Sequence, residues 1–339
     1  MKAMILAGGL STRLYPLTKL VPKPLVPIAG VPNAAHLARY LRAYGFDEIA
    51  INLHYLADAI VAALGDGSRF GVKLHYSYEP ELLGSAGAVK KMEPFFDEDL
   101  FVVIGCDEVT DLRLDRLIEF HRRRQALATI GLVEFDEVQQ YGVVVTNELG
   151  KVVGFQEKPE KGTERSKLVN TGVYVFSPAI FERIPKAQFY DFGKQVFPAL
   201  QQAGEPFYGF EASGAYWADI GTPGEYRRAS YDVVSGVVTI PQTKPNGIDD
   251  SANVARDVRI EGPVRIGPSV QVEAGVSIVG PSILDDAVRV QAGARLERAI
   301  CWRGATIGAC AQLRDTIVGI DYLVERDSML DNVLVARNS

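Results

Sequence analysis

Val254-Ala-Arg-Asp-Val-Arg-Ile260-Glu-Gly-Pro-Val-Arg-Ile266-Gly-Pro-Ser-Val-Gln-Val272 opens a run in which an apolar residue returns at every sixth position, on through Ile278, Leu284, Val290 and Leu296. Neither an α-helix, with its period of 3.6, nor a strand, with its period of 2, repeats at six. A six-residue period belongs to a parallel β-helix, where every sixth side chain points into the same corner. After Leu296 the register slips by about one, as Ile307 and Leu313 show, and the last coils are expected to be irregular. The repeat assigns residues 254–339 to a β-helix. The Gly-, Pro-, Asn- and Asp-rich stretch before it, 238–253, reads as a linker.

Working back from that linker, residues 1–237 have another texture, in which short apolar runs alternate with longer amphipathic ones. Lys2–Leu6, Glu48–Leu53, Val72–Tyr76, Leu100–Ile104 and Ala128–Glu134 read as strands; Ala34–Tyr44, Ala57–Leu64 and Leu114–Arg124 read as helices. Strands and helices alternating in this way give βαβ units, hence an α/β fold with a mostly parallel sheet covered on both faces. Ligands of such sheets bind at the carboxyl ends of the strands, so the residues just after each strand carry most weight.

The chain has 339 residues, 47% of them apolar, enough for two domains. Its 36 Lys plus Arg against 42 Asp plus Glu give a net charge of -6, which speaks against a nucleic-acid partner. No stretch reaches the roughly 20 apolar residues of a membrane span, and the apolar start is shorter than a secretory signal. Three cysteines, Cys106, Cys301 and Cys310, lack metal or disulfide spacing, which points to reduced thiols and the cytoplasm.

The stretch Leu6-Ala-Gly-Gly-Leu-Ser-Thr-Arg-Leu-Tyr-Pro-Leu-Thr18, followed by Pro22-Lys-Pro-Leu-Val-Pro27, places a glycine-rich loop directly after the first strand. Gly8 and Gly9 let backbone N–H groups approach a phosphate, and Arg13 and Lys23 add two cations beside them. A lysine between two prolines reads as a solvated loop residue when it stands alone; here it comes with the other parts. This stretch resembles the signature of the nucleoside-diphosphate-sugar pyrophosphorylases. The resemblance continues through Glu79-Pro-Glu-Leu-Leu-Gly-Ser-Ala-Gly87, Gly142, Gln156-Glu-Lys-Pro159, Asn170-Thr-Gly172 and Trp217-Ala-Asp-Ile-Gly-Thr-Pro223.

The resemblance implies a Rossmann-like mixed sheet and a C-terminal β-helix of left-handed type. It also implies an Mg²⁺-dependent transfer, in which a sugar 1-phosphate attacks the α-phosphorus of a nucleoside triphosphate and pyrophosphate leaves. Arg13 and Lys23 would then bind phosphates, and Asp107 and Asp219 would bind the metal. Leu6, Gly8, Gly9, Ser11, Thr12, Glu79 and Gly84 would line the nucleotide. Gly142, Glu157, Lys158 and Asn170 would hold the sugar phosphate. Such a transfer rests on positioning and charge neutralisation and needs no covalent nucleophile.

Ser11 stands where the family usually has glycine, and if φ is positive there a serine costs about 1 kcal/mol. Glu79, an acceptor-only carboxylate when ionised, favours guanine with its two adjacent donors. GDP-mannose synthesis from GTP and mannose 1-phosphate is therefore expected, with UDP-glucose synthesis from UTP and glucose 1-phosphate the alternative. A catalytically silent, ligand-sensing paralogue is the rival of another class, although both cations and both aspartates are retained. A β-helix acyltransferase would need a histidine in the repeat, and the last histidine is His121. The β-helix is then structural, and a homo-oligomer is expected from its flat sides.

Overall fold

The computed structural model describes residues 1–96, 99–241 and 244–337. The chain divides into two compact units: Met1–Leu10 with Leu37–Trp217, and Ser11–His36 with Ala218–Ser339. The N-terminal signature is thus split between them, the glycines in the first and the cations in the second.

The first unit is built on one mixed sheet. Its strands are β1 (Lys2–Leu6), β2 (Glu48–Leu53), β3 (Lys73–Tyr78), β4 (Phe101–Gly105), β5 (Ala128–Glu134), β6 (Gly142–Thr146), β7 (Val152–Glu157), β8 (Leu168–Phe176) and β9 (Phe207–Glu211). Their order is β7-β6-β8-β4-β1-β2-β3, with β5 beside β8 and β9 beside β5. Pairing is parallel from β4 through β1 and β2 to β3 and antiparallel wherever β8 takes part. The near-continuous apolar runs of β1, β2 and β4 follow from burial on both faces. Stacked Phe176, Phe192, Phe197 and Phe207 fill part of the core.

Helix α1 (Asn33–Ala43) precedes β2, α2 (Ala57–Leu64) follows it, and α3 (Gly84–Lys91) follows β3. Helix α4 (Leu114–Arg124) lies between β4 and β5 and buries Leu114, Leu117, Ile118 and His121. Its arginine run is an outer face, with Arg123 paired to Glu119 at 3.7 Å and Arg124 over the rings of Phe120 and Tyr208.

His121 is buried between two hydroxyls, Nδ1 2.9 Å from Thr129 Oγ1 and Nε2 3.0 Å from Ser177 Oγ. Burial, with Arg122 nearby, pushes its pKa down to about 4. The unfolded chain therefore takes up a proton near pH 6.5 that the folded chain refuses, and stability falls as pH drops through that window. Urea titrations should show a loss of about 2 kcal/mol between roughly pH 7.5 and pH 5, and His121→Gln should remove most of that slope. An unchanged slope in the variant would refute the assignment.

The second unit is a parallel β-helix with two segments laid on it. Three sheets run along it, one through Ile248, Ile266, Leu284, Cys301, Val318 and Val335. The second passes through Val254, Val272, Val290, Ile307 and Val324, and the third through Ile260, Ile278, Leu296, Leu313 and Leu330. This is the architecture of the left-handed hexapeptide class. The helix starts earlier than the repeat suggested, because Gly247–Ile248 already pairs with Arg265 and Ile266 inside the stretch read as linker.

The expected irregularity at the far end is absent. Each coil simply shortens from eighteen residues to seventeen after Leu284, and pairing continues. The missing residue is taken out at one corner, where Arg298, Asp315 and Asn332 sit at φ 47°, 47° and 51°. Arg298 Nε donates to Asp315 Oδ1 at 2.7 Å, a charge-assisted bond that offsets the strain of the left-handed backbone.

The strap Ser11–His36 and helix α6 (Pro223–Val234), which follows the short α5 (Phe197–Gln202) of the first unit, lie on one face of this β-helix. Pro27–Ile28 and Val31–Pro32 form a hairpin whose two turn residues, Ala29 and Gly30, both have positive φ, as a type I′ turn demands. A Cβ at Gly30 would lie 3.1 Å from both Arg265 Nη2 and Asp285 Oδ1, so only glycine seats the hairpin comfortably. Trp302 Nε1 donates to the Tyr226 hydroxyl at 2.8 Å, and that hydroxyl donates to Pro27 O at 2.8 Å. Among the described residues no helix is long and apolar enough to cross a membrane.

Candidate active site

In the first unit the candidate residues gather at the carboxyl ends of β1 to β4. β1 ends at Leu6, and the Ala7 N–H donates to Asn52 Oδ1 at 2.8 Å, which fixes the start of the glycine loop over the end of β2. Gly8 is required here: a Cβ would lie 2.7 Å from Asn52 Nδ2, whereas Gly9 faces open space. After β3, Glu79 is 3% exposed. Its Oε1 accepts from Asn52 Nδ2 at 2.9 Å and its Oε2 from the Leu83 N–H at 3.1 Å. Gly84, at φ 71°, opens α3 under Tyr190, whose carbonyl would lie 2.5 Å from a Cβ.

Asp107 follows β4 and is half-buried, its Oδ1 close above Gly105. Beside it lies a carboxylate that the sequence reading passed over. Glu108 is buried and accepts from Trp217 Nε1 at 2.6 Å, which ties Trp217 to the end of β4. Cys106 is buried, and its N–H donates to Leu6 O at 3.0 Å.

The residues assigned to the sugar phosphate come together at one end of β6, β7 and β8. Gly142 pairs with Glu157 across the β6–β7 ladder, and a Cβ on Gly142 would lie 3.2 Å from Glu157 Oε2. Lys158 is exposed at φ 48°, its N–H donating to Tyr141 O. Asn170 sits where β8 shifts register against β5; its Nδ2 donates to the Tyr174 hydroxyl at 3.1 Å, and its Oδ1 accepts from Gly172 N–H at 3.0 Å.

In the second unit the strap brings its two cations to one carboxylate. Lys23 Nζ is 3.6 Å from Asp219 Oδ1 and Arg13 Nη2 is 3.8 Å from Asp219 Oδ2. Lys23 is only 9% exposed, held in a short turn (Lys23–Leu25) with Pro22 before it. Arg13 is half-exposed in the turn Thr12–Leu14. Gly221 makes room for both, because a Cβ there would lie 2.7 Å from Arg13 Nη2 and from Asp219 Oδ1.

Ser11 has φ 55° and ψ 39°, so the strained conformation is realised. Its carbonyl accepts from Thr18 Oγ1 at 2.7 Å, while its own Oγ is buried with no hydrogen-bond partner among the described residues. Asn52, Glu108 and the space at Gly221 are the parts that the sequence reading missed. A polar residue in the otherwise apolar run of β2 was the available sign for Asn52, and a second acid directly after Asp107 was the sign for Glu108.

The chain is 39% identical to a UTP–glucose-1-phosphate uridylyltransferase of Synechocystis, across 99% of this chain and 92% of that one. It is 33% identical to a mannose-1-phosphate guanylyltransferase of Mycobacterium tuberculosis, across 80% of this chain and 76% of that one. Among solved structures, HddC from Yersinia pseudotuberculosis superimposes with a TM-score of 0.60 at 31% identity, covering 68% of this chain and 97% of that one. Residues 2–236 match the nucleotidyl transferase family, and the chain belongs to it.

Proposed function

We propose that this enzyme makes GDP-mannose and pyrophosphate from GTP and mannose 1-phosphate. The observation that carries the chemistry is the convergence of Arg13 and Lys23 on Asp219, over a backbone kept clear by Gly221. Two cations beside one carboxylate suit a phosphoryl-type transfer, which runs on charge neutralisation and alignment and asks for no nucleophile from the protein.

Arg13, half-exposed and planar, takes the leaving β- and γ-phosphates in a two-pronged grip. Lys23, desolvated and fixed, places a point charge at the α-phosphate and the incoming oxygen. The buried Ser11 hydroxyl, without a partner among the described residues, is a poised donor to a phosphate oxygen. Leu6, Gly8, Gly9 and Thr12 complete the nucleotide side with Gly84. Lys158 takes the phosphate of the sugar; Glu157 and Asn170, beside Gly142, take its hydroxyls.

Asp107 and Asp219 are the carboxylates assigned to Mg²⁺, and their hard oxygen donors suit that ion. Mg²⁺ held by these carboxylates would supply positive charge to the triphosphate. A homo-oligomer in the cytoplasm is the proposed working form, which light scattering would read as a mass above 37.0 kDa.

UDP-glucose synthesis is the second reading, favoured by the Synechocystis relative matched over nearly the whole chain. A pyrophosphate-release assay with Mg²⁺ separates the two by crossing GTP, UTP, dTTP and ATP with mannose 1-phosphate and glucose 1-phosphate. Turnover with GTP and mannose 1-phosphate is the expected result. Turnover with UTP and glucose 1-phosphate alone replaces it with the second reading. Nucleotide binding with no turnover anywhere would leave a silent, ligand-sensing paralogue.

A further inference from the structure

Glu79, Asn52 and the backbone of the glycine loop form a chain of hydrogen bonds in which each partner's polarity is fixed. The Ala7 N–H can only donate, so the Asn52 atom that meets it at 2.8 Å must be the oxygen. Asn52 Nδ2 therefore turns to Glu79 and donates to Oε1 at 2.9 Å. The Leu83 N–H donates to Oε2 at 3.1 Å, so both carboxylate oxygens face donors. An ionised carboxylate satisfies this arrangement, and a carboxamide, with one acceptor and two donors, does not.

The backbone of Glu79 is fixed as well. Its N–H donates to Leu53 O at 2.7 Å, and its carbonyl lies 2.8 Å from His54 Nδ1. With Glu79 3% exposed and Asn52 4% exposed, both side chains are enclosed by the protein and turned towards each other. The missing side chain at Gly8 is what lets the Asn52 amide reach under the loop.

We propose that Glu79 and Asn52 are positioning residues that lock the segment Glu79–Gly84 to the start of the phosphate loop, and that the Glu79 carboxylate does not read the base. Both oxygens of this buried carboxylate, whose acceptors suit guanine, already face protein donors on Asn52 and Leu83. The relay makes the two loops one rigid body, so that a nucleotide's base and its phosphates are held at a fixed separation. Discrimination between bases then rests on other groups of the segment. This proposal builds on the nucleotidyl-transfer reading given above.

The polarity of the chain allows a swap. Glu79→Gln alone sets a carboxamide N–H against either Asn52 Nδ2 or the Leu83 N–H. Asn52→Asp alone sets two carboxylates against each other at hydrogen-bond distance. The double variant restores the pattern: the carboxylate now at position 52 accepts from the Ala7 N–H and from the new amide at position 79, whose oxygen accepts from the Leu83 N–H. Each single variant should lower the melting midpoint of the ligand-free protein by about 3–6 °C, and the double variant should recover most of that loss.

In the pyrophosphate-release assay each single variant should lose about 10- to 100-fold in kcat/KM with GTP and with UTP by the same factor. The double variant should regain most of it, with the ratio of GTP to UTP use unchanged throughout. A Glu79→Gln enzyme whose ratio shifts by about tenfold or more would show that the carboxylate reads the base and overturn the proposal. A double variant no better than its weaker parent in melting would overturn the relay. If the wild-type protein turns over no nucleotide with any sugar phosphate, the functional reading fails instead, and the melting cycle still decides the relay.

Discussion

Lys23→Ala is expected to lower kcat by about a thousandfold while the protein stays folded and still binds nucleotide. Lys23 is held at 9% exposure with its ammonium 3.6 Å from Asp219, so its charge acts with little screening by water. Fixed charges aimed at developing negative charge in a dry site account for about 10²- to 10³-fold each when removed. The position is set by Pro22 and Pro24 on either side and by the turn Lys23–Leu25, so the chain loses little freedom when substrate arrives. Arg13 remains after the substitution, which is why nucleotide affinity should fall far less than turnover. Lys23→Arg should not restore the rate, because a broad, planar guanidinium does not reproduce the compact point charge of an ammonium. Single-turnover kinetics with matched thermal melts test this, and a kcat within about tenfold of wild type would remove Lys23 from the chemistry.

Asp285→Asn is expected to stabilise the protein by about 2–4 kcal/mol near pH 8. Asp285 is 4% exposed on the β-helix face beneath the strap, and its Oδ1 has no hydrogen-bond partner among the described residues. Burial pushes its pKa from 3.8 up to about 7, against the pull of Arg265, with Asp286 adding to the rise. The folded state thus keeps a proton that the unfolded state gives up near pH 3.8. Stability is whole below that point and is lost as pH climbs towards about 7. The asparagine keeps the shape and has no charge to lose, although Arg265 forfeits some attraction, which trims the gain. Urea titrations of both proteins at about pH 4 and about pH 8 give the comparison, with the gap closing at the lower pH. A gap of equal size at both would mean that the ionisation of Asp285 is not its source.

Much of the architecture was legible because it rests on short-range pattern. Lys2–Leu6, Glu48–Leu53, Ala57–Leu64, Leu114–Arg124 and Ala128–Glu134 occupy the residues that their apolar spacing marked out. The six-residue repeat displayed the β-helix because its core positions recur without exception as far as Leu296. Ile248, six residues before Val254, was hidden by the glycine, asparagine and aspartate around it. The seventeen-residue coils were hidden because a dropped corner residue looks like a failing repeat until the pairing of Leu296 with Leu313 is seen.

The site was legible where a motif is continuous, as in the strap and in Trp217–Asp219. It was illegible where the partners are far apart in sequence. Asn52 meets Glu79 across 27 positions, and Trp217 meets Glu108 across 109. Residue type marks Asn52 and Glu108 locally, but nothing local names the partner of either. Glu79 is the clearest case: its residue type suggested one chemistry, and its side chain accepts from Asn52 and from the Leu83 N–H.

The seating of the strap has a consequence for synthesis. Lys23 precedes most of the α/β sheet in the sequence, yet the surface on which its strap rests includes Arg265 and Asp285, with Trp302 reached through Tyr226, and Gly319 lies against Leu17. A nascent chain that has completed its α/β sheet still carries an unseated strap. The strap is seated only when the coils that carry Arg265, Asp285 and Trp302 have emerged and wound. A ribosome stalled before the β-helix would therefore hold a strap with no surface beneath it.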